Sequence, residues 1–74
     1  MPYDNSAKIQ KQFGERVRSL RRSKGFSQEA LAHACDLDRT YIGRVERGER
    51  NISLINIHVL AHALEVSVKE LFNG

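Results

Sequence analysis

Arg39, Arg44, Arg47 and Arg50 stand at near-helical intervals in one short segment. A guanidinium carries a rigid fork of donors that matches the acceptor pair on the major-groove edge of guanine, and it pairs equally well with phosphate oxygens. Wound at ~100° per residue, the segment places Arg39, Thr40, Gly43, Arg44 and Arg47 within roughly 140° of one another. Ile42, Val45 and Glu46 fall on the opposite side, so one face is oily and the other offers donors. Thr40 adds a methyl for thymine or a hydroxyl for a base or phosphate. Gly43 sacrifices roughly 1 kcal/mol of helix propensity relative to alanine, a poor choice unless something must approach closely there. Arg39, Thr40, Gly43 and Arg44 are therefore the candidate base-reading set. Tyr41 lies at its border, with a hydroxyl suited to a phosphate oxygen or a ring suited to half-buried packing.

A rim of candidate phosphate contacts surrounds this set: Gln28, Tyr41, Arg47, Arg50 and Asn51. Helix starts at Gln28 and Leu54 would add free backbone N–H groups, which attract anions. The total charge is only mildly basic, with 12 Lys+Arg against 9 Asp+Glu. Its distribution is uneven. Lys8, Lys11, Arg16, Arg18, Arg21, Arg22 and Lys24 are opposed by Glu15 alone, whereas the last twenty or so residues are nearly neutral. This fits a phosphate-facing side and a neutral side, or else a solvated charged face.

Helices must position these groups. Ile9, Phe13, Val17 and Leu20 recur on one side of a helix over 8–23, which Gly25 ends in the left-handed conformation with Phe26 packing back. Ser27 caps a short second helix over 28–34 with Leu31 and Ala34 inward. Asp38 caps a third, starting at Arg39 and ending at Gly48. Asn51 and Ser53 introduce a fourth over 54–64, and Ser67 to Glu70 has the spacing of a capping box opening a fifth that ends at Phe72. No segment alternates with period two. The expected fold is all-α: a compact five-helix bundle over 8–74 behind a flexible tail at 1–7, with a helix-turn-helix from Gln28 to Arg47.

Other chemistry finds little support. A chain of 74 residues has room for one core and no deep cleft. The single Cys35 cannot form an internal disulfide and reads as a small buried residue, which points to a reducing cytoplasm. No apolar run approaches the ~18 residues of a membrane span, and the polar start lacks a signal peptide's apolar segment. His58 and His62 are four apart and His33 is near Cys35, but neither pair has a third ligand, so no metal is expected. Without a catalytic triad, carboxylate pair or glycine-rich phosphate loop, neither an enzyme nor a cofactor or small-molecule ligand is expected.

The fourth helix carries two apolar stripes. Leu54, Ile57, Leu60, Ala61 and Leu64 face one way, while Ile55 and Val59 lie more than ~100° away with His62 beside them. A second stripe on so small a domain asks for a partner, and a homodimer through Ile55, Val59, His62, Val66 and Val68 is the expectation. Two reading helices would then lie about one turn of DNA apart on a palindrome-like site. The alternative is that Ile55 or Val59 packs beneath the fifth helix.

Residues 13–71 resemble the Cro/C1-type (XRE-like) helix-turn-helix family, whose domains are lambda-repressor-like. The resemblance is carried by Arg21-x-x-Lys24-Gly25-Phe26-Ser27-Gln28-Glu29-x-Leu31-Ala32 and by Val45-Glu46-Arg47-Gly48. Leu37 to Ile42 and Glu46 to Leu54 are most similar to controller proteins of restriction-modification systems. The resemblance implies that Gln28 clamps a phosphate, that Arg39, Thr40 and Arg44 face bases, and that Arg21 pairs with Glu46. At the turn, Asp36 replaces the family's usual glycine, and aspartate tolerates the left-handed conformation better than most residues. The implied function is sequence-specific transcriptional control from duplex operator DNA. A stand-alone phage-type repressor or an antitoxin would use the same domain; a protein-interaction module that has lost DNA binding, or a membrane binder using the basic residues of 8–24, are rivals from other classes.

Overall fold

A computed structural model describes residues 3–72, and every regular element in them is helical. The helices are α1 (Ser6–Ser23), α2 (Gln28–Cys35), α3 (Arg39–Glu46) and α4 (Leu54–Leu64), followed by a single 3-10 turn, Val68–Leu71. The expected fifth helix is thus one tight turn. Glu70 N–H donates to the Ser67 carbonyl and Phe72 N–H to that of Lys69, the i to i+3 pattern that suits a segment this short. Glu70 accepts from Ser67 N–H at 3.2 Å, closing the turn from its own side chain. Arg16 on α1 donates to the Glu70 carbonyl at 2.7 Å and ties the turn to the bundle.

Local chemistry sets the other boundaries. Ser27, Asp38 and Ser53 each accept a backbone N–H from the first turn they precede, at 3.0, 2.7 and 3.1 Å. Gly25 and Gly48 take φ of +80° and +78° after α1 and α3. Asp36 occupies the left-handed turn between α2 and α3 with φ 55°. Glu65 does the same after α4, with φ 57°. α1 begins at Ser6, so the last two positions of the expected tail are helical; Met1 and Pro2, and Asn73 and Gly74 at the other end, lie outside the described residues.

One core joins all the elements: Phe13 and Val17 of α1, Leu31, Ala32 and Cys35 of α2, Ile42 and Val45 of α3, Leu60, Ala61 and Leu64 of α4, and Leu71. Three apolar residues expected inside are not there. Ile9 is 43% exposed, because α1 buries its side chains only from Phe13 onward. Ala34 is exposed and Ala32 is buried instead, since α2 turns the face of Leu31, Ala32 and Cys35 inward. Leu54 is 70% exposed, because α4 buries only its C-terminal half, Leu60, Ala61 and Leu64.

α3 is fastened to its neighbours in two ways. At Gly14 the backbones of α1 and α3 cross so closely that an added Cβ would overlap the Val45 carbonyl oxygen and lie 2.7 Å from that of Glu46. Beside this crossing, buried Arg21 donates to Glu46 through Nε at 2.6 Å and Nη2 at 3.1 Å, and through Nη1 to the Phe26 carbonyl at 2.9 Å. Arg21 therefore belongs to the interior and not to a basic face. With its oily side locked down, α3 has one side left to present.

Candidate nucleic-acid interface

That remaining side carries Arg39, Thr40, Arg44 and Arg47, all exposed. Asp38 accepts the Thr40 N–H at 2.7 Å, so the cap holds the first turn of α3 while leaving the side chains of Arg39 and Thr40 outward. Arg39 makes no ion pair among the described residues. Arg44 and Arg47 both approach Glu49, with Nε to carboxylate distances of 4.0 and 3.0 Å, and Arg47 adds a second bond through Nη2 at 3.3 Å. The Arg47 hydrogen bond is the chief reason the Glu49 carboxyl is pushed down and the Arg47 guanidinium held more firmly charged. Both side chains remain more than half open to solvent or nearly so, at 57% and 50%, so the pair is weak in water and free to exchange partners.

Gly43 differs from its neighbours on this side. It is buried, and a Cβ there would lie 3.2 Å from Arg47 Nη1 and 3.7 Å from Gln28 Oε1. The Gln28 contact is of ordinary length and the Arg47 one is with the tip of a movable side chain, so within the chain Gly43 faces no backbone that would exclude a methyl. Gln28 is likewise drawn inward: half-buried, its amide donates to Glu46 Oε1 at 3.0 Å, adding a third donor to the Arg21 and Glu46 pair. The Gln28 side chain is therefore engaged within the fold, while its backbone N–H stands at the start of α2.

Tyr41 takes the half-buried packing that was one of the two sequence alternatives. Its ring is half-buried against the core, while its hydroxyl accepts from Asn56 Nδ2 at 3.2 Å and its ring lies under the Arg50 guanidinium, 5.0 Å from the centroid. As an acceptor in this bond, the hydroxyl still has its own proton to donate. Asn56 and Glu49 are the members of this surface that sequence reasoning missed; the one is fifteen positions from Tyr41, and the other reads as an ordinary surface acid. Arg50 and Asn51 are exposed in the segment between α3 and α4.

The residues expected at a dimer contact divide in two. Ile55 is 70% exposed and His62 is exposed, whereas Val59, Val66 and Val68 are half-buried against the core. Leu54 and Ile55, both 70% exposed, leave an apolar, solvent-facing patch on the first turn of α4. Among the described residues no three His, Cys, Asp or Glu side chains gather where a metal could sit, and no helix is long and apolar enough to cross a membrane.

Known proteins share this fold and much of this sequence. The chain is 53% identical over 62 residues to the control protein C.BamHI of Bacillus amyloliquefaciens, covering 82% of this chain and 76% of that one. The crystal structure of the restriction-modification controller protein C.AhdI from Aeromonas hydrophila superposes with a TM-score of 0.82 at 56% identity, over 84% of this chain and 94% of that one. The controller protein C.Esp1396I, solved as a tetramer on its natural 35 base-pair operator, superposes with a TM-score of 0.80 at 34% identity, over 88% and 86% of the two chains. A helix-turn-helix family model, HTH_3, matches residues 17–71, from the middle of α1 to the end of the 3-10 turn, and the chain belongs to that family.

Proposed function

We propose that this protein is a sequence-specific transcriptional regulator, the controller of a restriction-modification system, and that it binds operator half-sites as a homodimer. The observation that carries the reading is the outward row of Arg39, Thr40 and Arg44 on a helix whose other side is clamped by Arg21 and Glu46. In this reading α3 enters the major groove, and Arg39, Thr40 and Arg44 read base edges. Gly43, with no side chain, lets the groove approach that face of the helix closely. The Gln28 backbone, Tyr41, Arg47, Arg50 and Asn51 hold phosphates on either side. The similarity to control proteins, one of them seated on operator DNA, supports the assignment to restriction-modification genes.

The protein works by binding and not by catalysis, and it acts in the cytoplasm, where its free, buried Cys35 stays reduced. Dimerisation uses the patch around Ile55, with His62 and the edges of Val59, Val66 and Val68. Selection of bound duplexes from a random pool tests the whole reading. The expected product is a pair of related half-sites of opposite orientation; recovery of no preferred sequence overturns it.

A further inference from the structure

Glu49 is an odd neighbour for a surface that meets phosphates. The turn at Gly48 places it there: with Gly48 at φ +78°, the chain doubles back so that Glu49 N–H donates to the Arg44 carbonyl at 2.9 Å. This closed turn returns the carboxylate over the last turn of α3, between Arg44 and Arg47. No residue with a side chain fits at Gly48, since a Cβ on it would come within 2.7 Å of Lys11 Cα. The position of Glu49 is thus a property of the backbone, whatever its side chain does.

Taking the DNA-binding reading as given, we infer that Glu49 is a specificity-determining residue, whose carboxylate lowers affinity for every duplex and so makes binding depend on base contacts. A cation that neutralises a phosphate releases a condensed counterion, and that release drives sequence-independent binding. A carboxylate 3.0 Å from the Arg47 Nε and 4.0 Å from that of Arg44 withdraws part of this charge. On a matched site the Arg44 fork still gains directional hydrogen bonds to a base edge. On an unmatched site charge is nearly all the protein has to offer, and there Glu49 takes away the larger share. Its repulsion from the phosphates acts in the same direction.

The experiment compares wild type, Glu49→Gln and Glu49→Ser on two duplexes across a salt series: one of random sequence, and the one that wild type selects from a random pool. Glu15→Gln, on α1, removes the same charge from an exposed carboxylate that makes no ion pair among the described residues. Both Glu49 variants should bind the random duplex about tenfold tighter near 0.1 M salt, with a salt slope steeper by about one unit. Their preference for the selected duplex should fall about three- to tenfold. Unchanged affinity and slope in both variants overturn the inference. So does an equal gain from Glu15→Gln, which would reduce the effect to net charge. If wild type itself binds no duplex, the DNA-binding reading fails first, and that result is distinct from either.

Discussion

Arg21 and Glu46 meet fork to fork inside the protein, 25 positions apart in sequence, and Gln28 completes the contact from α2. Three elements of the bundle therefore converge on a single carboxylate. Glu46→Ala leaves a buried guanidinium with one backbone partner and should destabilise the fold by about 3–5 kcal/mol in urea unfolding. Replacing both charges together, Arg21→Met with Glu46→Leu, should restore most of that loss, because a buried charge without its partner is worse than none.

Gly14→Ala should destabilise by about 3 kcal/mol even though alanine is the better helix former by ~1 kcal/mol, because the new methyl meets backbone and not a movable side chain. Thermal unfolding measures it. An unchanged or raised melting temperature would mean that α1 and α3 can separate freely.

The base-reading and phosphate-holding assignments separate at Arg44 and Arg50. Arg44→Ala should weaken binding to the selected duplex by about 1–3 kcal/mol and relax preference at one base position. Arg50→Ala should weaken all duplexes alike and lower the salt slope by about one unit. Tyr41 adds a check. Because Arg50 lies over its ring and Asn56 donates to its oxygen, Tyr41→Phe should keep the ring contact but lose the Asn56 bond, weakening both duplexes alike and lowering stability by about 1 kcal/mol. Titration of both duplexes by fluorescence anisotropy distinguishes the variants.

Ile55→Glu should convert a dimer to a monomer in sedimentation without unfolding it. Ile55 is the suitable position because it is 70% exposed, whereas Val59 is half-buried against the core, and a charge there would damage the fold as well.

Burial pushes the Cys35 thiol up, so the folded chain keeps a proton that the unfolded chain releases. Unfolding stability should accordingly be intact below the ordinary thiol range and fall as pH climbs above about 8.5. Cys35→Ala should flatten that decline. The native thiol should also react slowly with an alkylating reagent at neutral pH, and quickly once unfolded.

Much of this was legible from local chemistry. Ser27, Asp38 and Ser53 act on the turn that immediately follows each of them, and Gly25 and Gly48 act on their own backbones, so sequence spacing carried the helix boundaries and the outward row on α3. Long-range packing was harder to read. The reasoning that singled out Gly43, a glycine where alanine would serve the helix better, applied equally to Gly14, which forms the tightest helix crossing. Ile9, Ala34 and Leu54 look like core residues because periodicity assigns a face and says nothing of where a helix runs past its neighbours. Asn56 reaches Tyr41 from another helix, and Glu49 reaches the arginines through a backbone reversal, so neither contact follows from a helical projection of α3.

With α1 seated backbone on backbone against α3 at Gly14, the face of α3 turned to a partner is braced from behind. A stiff die pressed on a softer sheet leaves the sheet to bend. If the duplex then supplies the curvature that the fit demands, base steps lying under no side chain should be favoured or refused according to how readily they yield.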